Sequence, residues 1–177
     1  MTLTKPYIYY RDQSLSIVYN IHMKIILASD HAGFDLKNKI KDFLISEKFD
    51  VEDMGAHTLV PDDNYPEIIL PVAIRVVSDT ENTKAIIFGR SGQGEAIICN
   101  RFPGVRAVVF YGNTTVDKRG LEIIRLSREH NNANILSIGA DFVSFEEVKE
   151  AVKIWISTPF SNDERHIRRN EMLDNIE

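Results

Sequence analysis

From Met23 onward the sequence alternates short apolar runs with longer stretches of helical period, and nothing else in it restricts the fold as strongly. Runs of four or five apolar residues suit strands buried on both faces, and amphipathic stretches between them supply helices to cover the sheet. The pattern therefore predicts repeated β-α units around a mainly parallel sheet. The strand candidates are Lys24 to Ala28, Asp50 to Asp53, Ala85 to Phe88, Val105 to Val109 and Ile135 to Ile138. Leu36, Ile40, Phe43 and Leu44 share one helical face, as do Leu121, Ile124 and Arg125 with Leu126 beside them. Pro71 would remove a hydrogen bond from a helix interior and clash with the preceding turn, so the helix after Tyr65-Pro66 is expected to begin near Pro71. Further helices are expected over Glu146 to Ile156 and, from a cap within Ser161 to Asp163, through Met172.

The chain has 177 residues, 44% of them hydrophobic, enough to bury one sizeable core. No internal repeat, low-complexity segment or long Gly/Ser/Pro linker divides it, so residues 23–177 are expected to form one domain. Residues 1–22 hold four of the six tyrosines and no apolar run long enough for a signal peptide or a membrane span; they read as an N-terminal extension. A net charge of -5 offers no general attraction to nucleic acid or an anionic membrane, so any phosphate must be met locally. The sole cysteine, Cys99, cannot form an intrachain disulfide, and no Cys/His cluster has metal-ligand spacing. A reducing, cytoplasmic setting and a site with neither metal nor cofactor are the resulting expectations.

In open parallel α/β sheets ligands bind outside the carboxyl ends of the strands, so the loops there carry functional weight. Four segments stand out: Ser29 to Gly33, Gly89 to Glu95, Tyr111 to Asn113, and the end of the helix leading into the fifth strand, Arg128 to Asn132. The glycine-rich loop 89–94 opens a helix, placing backbone N–H groups where an anion or a developing oxyanion can be held. It is neither a Walker A loop nor the dinucleotide spacing of glycines, and a tight strand-to-helix turn explains it as well. Glu95 in the first helical turn is favoured by the helix dipole whatever its role, and a base there would need desolvation to offset the dipole. Asp30 and His31 read equally as an Asx cap beside an exposed ring, and His130 as a dipole partner at a helix end.

The terminal helix says more. Arg168 has Glu164 four residues before and Glu171 three after, an ordinary solvated face. Arg165 and Arg169 have no such helical partners and lie four apart on one face, where like charges repel unless they share an anion. Two guanidinium forks suit an external phosphate.

Together these residues resemble the ribose-5-phosphate isomerase B family, which also includes the galactose-6-phosphate isomerase subunits. The resemblance runs from Met23 nearly to the C-terminus. It rests on Ser29-Asp30-His31-Ala32-Gly33-Phe34, Asp63-Asn64-Tyr65-Pro66, Gly89-x-Ser91-Gly92-x-Gly94-Glu95, Asn100-Arg101-x-Pro103-Gly104-x-Arg106-Ala107, Arg128-Glu129-His130-Asn131 and Arg165-His166-x-x-Arg169. It implies a single-domain, three-layer Rossmann-like α/β fold with a five-stranded mainly parallel sheet and a C-terminal basic helix. It also implies interconversion of ribose 5-phosphate and ribulose 5-phosphate through a cis-enediolate. One branch of the family uses a cysteine at the head of the glycine loop as base, where this chain has Gly89; the other uses a glutamate at the loop's end, which Glu95 matches. Asp30 and His130 are then expected to handle the ring-opening protons and Ser91 to assist at the reacting oxygens. The amides of Ser91, Gly92, Gln93 and Gly94 would stabilise the enediolate, His31, Tyr65 and Asn131 would hold the substrate, and Arg165 and Arg169 would clamp its phosphate. Cys99 is expected to be a small buried residue. The family's members are at least dimers with shared sites, so a homodimer or higher homo-oligomer is implied, with His130 and Asn131 serving a second copy's loop.

Two departures from the family pattern stand out. Arg90 occupies a loop position usually held by glycine, and Asp141 stands where an arginine commonly faces the phosphate, which leaves another sugar phosphate open as substrate. A catalytically silent phosphosugar-binding module is the rival of a different class. A dinucleotide enzyme would need other glycine spacing, and Asp53 at the second strand's end is thin support for one.

Overall fold

The computed structural model describes residues 23–113 and 119–175. The N-terminal extension expected over residues 1–22 lies outside them. Five strands form one sheet: β1 (Lys24–Ser29), β2 (Asp50–Asp53), β3 (Thr83–Gly89), β4 (Ala107–Phe110) and β5 (Ile135–Gly139), in the order β2-β1-β3-β5-β4. All four pairings are parallel. The helices are α1 (Phe34–Ser46), α2 (Tyr65–Val77), α3 (Gln93–Cys99), α4 (Gly120–Asn131), α5 (Phe145–Ser157) and α6 (Glu164–Asp174), with a 3₁₀ turn at Ala140–Phe142.

The period of two along the strands divides the core into two layers. Ile25 and Leu27, Ile86 and Phe88, and Leu136 and Ile138 face α1, α4 and α5, where Ile40, Leu44, Ile124, Val148 and Trp155 meet them. Ile26 and Ala28, Ala85 and Ile87, and Ile135 face α2 and α3, where Ile69, Val72, Ala73, Val76 and Cys99 meet them. The three-layer architecture follows from these two buried faces.

Two expected boundaries shift for physical reasons. The helix expected from Pro71 begins at Tyr65, with Pro66 in its first turn and Pro71 inside it. An interior proline destabilises a helix by about 3 kcal/mol. Burying Ile69, Val72 and Val76 on the same helix returns about 1.5–3 kcal/mol apiece, and Pro71 lies on the exposed side. The fourth strand starts at Ala107, not Val105, because the Arg106 amide donates to the Asn134 side chain at 2.9 Å while the Asn134 amide donates to the Arg106 carbonyl at 3.2 Å. Elsewhere the expected elements and the observed ones agree to within a few residues. The capping box of α5 (Ser144 with Glu147) sets its start. No helix among the described residues is long and apolar enough to cross a membrane.

Candidate active site

The carboxyl ends of β1 and β3 lie side by side, since Ser29 pairs with Phe88 in the parallel register. The turn after β1 closes when Asp30 Oδ1 accepts the Gly33 amide at 3.0 Å, and the Asp30 amide itself donates to the Phe88 carbonyl at 3.2 Å. Asp30 is buried, and that burial pushes its carboxyl above the ordinary range. Next to it, Asp63 receives both the His31 backbone amide at 3.1 Å and His31 Nδ1 at 2.7 Å. The hydrogen bond to Asp63 raises the His31 pKa, and with Nδ1 engaged the ring presents Nε2 outward. The ligand-capable atoms of Asp30, His31 and Asp63 all lie within 4.8 Å of one another, a grouping that the linear spacing of these residues hides.

The glycine-rich loop connects β3 to α3 through Gly92, whose φ of 72° is the left-handed conformation that glycine adopts without penalty. Ser137 on β5 donates to the Gly92 carbonyl at 2.6 Å, which ties the loop to the sheet. Ser91 Oγ accepts the Gln93 amide at 3.3 Å. Glu95, in the first turn of α3, is 4% exposed. Its carboxylate lies against Gly89: a Cβ built on Gly89 would sit 2.0 Å from Glu95 Oε1. A side chain at position 89 and this carboxylate therefore compete for one space. Desolvation pushes the Glu95 pKa up and the neighbouring Asp30 charge adds to it, while the residue's own amide pulls it down. The Tyr65 ring covers the loop, within 2.7 Å of where a Gly94 Cβ would be. Cys99 is fully buried, and desolvation pushes its thiol to about 12, so it stays protonated near neutrality.

Asp30, His31, Tyr65, Ser91, Gly92, Gln93, Gly94 and Glu95 thus converge at the carboxyl end of the sheet. The other four expected site residues do not join them. Asn131 ends α4, just before β5 begins at Ile135, so Arg128 to Asn132 lie at the amino end of the sheet and not beside the strand-end loops. The helix α6 is anchored there too: Asn170 Nδ2 donates to the His130 carbonyl at 3.5 Å, and Arg106, just before β4, binds Asp174 at 2.8 Å. The His130 and His166 rings pack in a tilted contact with centroids 4.3 Å apart, and Ser161 Oγ lies 2.8 Å from His166 Nδ1. Arg165 and Arg169 are exposed on this helix. Five residues of strand, roughly 16 Å, separate the two ends. The two groups of expected site residues therefore lie at opposite ends of the sheet within one chain.

Several local expectations change. Arg165, which has no acid at helical spacing, lies 3.9 Å from Asp163 just before the helix, and no ion pair of Arg168 with Glu164 or Glu171 forms among the described residues. Asp163 occupies the N-cap position of α6 without a side-chain capping bond. Asp53, the thin support for a dinucleotide reading, is taken up by Lys37 and Lys41, each 2.8 Å away. Burial alone would raise its pKa, and these two bonds bring it below the usual carboxylate range. Sequence reasoning assigned no role to Asp63 or His166, although both stand within the quoted motifs; their partners are 32 and five residues distant.

The profile of the Ribose/Galactose Isomerase family matches residues 25–173. The ribose-5-phosphate isomerase B of Mycolicibacterium paratuberculosis is 36% identical over 155 residues, covering 88% of this chain and 92% of that protein. The Escherichia coli protein of the same name is 32% identical, covering 87% and 96%. Among solved structures, ribose-5-phosphate isomerase B from Mycoplasma genitalium with bound ribulose 5-phosphate superposes with a TM-score of 0.80 at 28% identity, over 88% of this chain and 96% of that one. The Thermotoga maritima ribose 5-phosphate isomerase superposes at 0.77 with 34% identity, over 88% and 99%.

Proposed function

The chain belongs to the ribose/galactose isomerase family, and from that membership we propose that it interconverts D-ribose 5-phosphate and D-ribulose 5-phosphate through a cis-enediolate, with Glu95 as the base. The observation that carries this reading is the Glu95 carboxylate. It is desolvated, raised in pKa and held beside Gly89 at the strand end where an α/β sheet binds ligands.

Glu95 takes the proton from C2 of the open-chain aldose; the C–H electron pair forms the C1–C2 double bond and the carbonyl pair moves onto oxygen. The O2 hydroxyl proton then passes to O1, and return of the abstracted proton to C1, as the O2 electron pair forms the C2 carbonyl, completes the ketose. Loop amides and Ser91 stabilise the enediolate oxygens, and His31 and Tyr65 border the substrate. Asp30 and His130 move the ring-opening protons. Arg165 and Arg169 clamp the phosphate, and Asn131 holds the sugar.

The last four residues must come from a second copy, because in one chain they lie at the far end of the sheet. A two-fold dimer brings the amino-end half-site of each chain to the carboxyl-end half-site of the other, making two complete sites. A cytoplasmic location is part of the proposal, since phosphorylated sugars do not cross membranes unaided. The Arg90–Asp141 pair supports a second reading, turnover of another sugar phosphate such as galactose 6-phosphate, allose 6-phosphate or a tetrulose phosphate.

Ketose formation from ribose 5-phosphate, followed with and without EDTA beside the two hexose phosphates, tests the substrate assignment. Pentose turnover indifferent to EDTA is expected. Turnover confined to a hexose phosphate would move the substrate, and binding without turnover would favour the silent module.

A second expectation concerns Gly89. Its replacement by alanine meets the far end of a flexible side chain, so the fold survives while the carboxylate is displaced. Misplacing a catalytic group by about 1 Å is enough to lower rate by about 10²-fold. Gly89→Ala should therefore show at least that loss in kcat with an unchanged circular dichroism spectrum. A variant retaining wild-type kcat would place the base elsewhere.

A further inference from the structure

At the rim of the carboxyl-end half-site, Arg90 Nη1 lies 2.9 Å from Asp141 Oδ2 and the Asp141 amide donates to the Arg90 carbonyl at 3.2 Å. The pair joins the loop after β3 to the 3₁₀ turn after β5, whose last residues Gly89 and Gly139 are partners in the sheet. Beside it the Tyr111 and Phe142 rings meet edge to face at 5.8 Å, both exposed. The Arg90 and Asp141 side chains are 68% and 45% exposed, and an ion pair that open adds little to stability. Stability therefore does not account for an arginine one residue from Gly89, whose neighbour is the Glu95 carboxylate.

The guanidinium offers five N–H donors and Asp141 engages one edge of it. Among the described residues the remaining donors have no hydrogen-bond partner, and they can bind an oxyanion in the fork geometry that phosphate matches. Lys37, the buried ammonium of α1, is not available for this: it is bound by Asp53 at 2.8 Å and the Ala56 carbonyl at 2.7 Å. Arg90 directly follows Gly89, against which the Glu95 carboxylate packs, so its guanidinium is a cation carried on the same loop as the proposed base.

We infer that Arg90, positioned by Asp141, contacts the phosphate end of the substrate and is a specificity-determining residue of this site. Asp141 holds the guanidinium across the rim and lowers the rotamer entropy lost on binding. The inference rests on the isomerase reading above.

The test compares wild type, Arg90→Ala and the double variant Arg90→Ala/Asp141→Arg, which returns a guanidinium to the same rim from its other side. Arg90→Ala should raise KM for ribose 5-phosphate about tenfold, with the loss in KM rather than kcat, as expected when binding is lost equally from ground and transition states. The rise in Tm produced by inorganic phosphate should shrink in Arg90→Ala, and the double variant should recover both readouts. KM and the phosphate-induced rise unchanged in Arg90→Ala would overturn the inference, as would a KM increase that the double variant leaves in place. Failure of the isomerase reading is separately visible as absent wild-type turnover, and the phosphate-induced Tm rise still tests Arg90 in that event.

Discussion

Glu95→Gln is expected to lower kcat for the isomerisation at least about 10³-fold, within the range of removing a positioned general base, while making the protein more stable at pH 8. Both effects follow from the same burial. Glu95 is 4% exposed, and desolvation raises its pKa above that of a carboxyl group in the unfolded chain. Below the unfolded pKa, about 4.3, both states are protonated and the group contributes nothing. As pH rises toward the folded pKa, the unfolded state has already released its proton while the folded state still holds one, so stability falls. Above the folded pKa the native state carries the full penalty of a buried carboxylate. Glutamine has nearly the same shape and no charge, so it removes the penalty along with the base. The variant's Tm should exceed wild type by a few degrees at pH 8, and the difference should vanish near pH 4. The same shift sets the wild-type rate: kcat/KM should rise with pH through a pKa above the usual carboxylate range, as Glu95 becomes the free base. A Glu95→Gln variant that is inactive but less stable at pH 8 would mean that the carboxylate is satisfied by partners, not strained by burial.

The sheet was legible because its strands are apolar runs with few alternatives. Lys24 to Ala28 and Ile135 to Ile138 each lie within one residue of the observed strand ends. Where the reading slipped, a tertiary contact outweighed a local rule. Pro71 sits inside a helix because its neighbours bury Ile69, Val72 and Val76, and Arg106 leaves the strand because the distant Asn134 takes its amide.

The site was legible as a set of residue types but not as an assembly. Glu95 looks like any first-turn acid until the fold shows its carboxylate packed beside Gly89. The same contact gives a physical reason why a cysteine at the loop's head and a glutamate at its end are alternatives, since both side chains would need one space. The partnership of His31 with Asp63 spans 32 residues and leaves no periodic trace. Chain order does indicate where His130 belongs, because a helix that precedes a parallel strand ends at that strand's amino end. That placement separates the two groups of residues, and it is the reason the proposed site needs a second copy.

Co-expression of Glu95→Gln chains with Arg165→Ala/Arg169→Ala chains, each nearly inactive alone at low substrate, tests the central claim that one active site is built from opposite ends of two chains. In a randomly mixed population half of the dimers are heterodimers, and each has one site with an intact base and an intact phosphate clamp. About a quarter of wild-type activity should therefore return. Activity no greater than that of the two variants assayed separately would contradict the shared site.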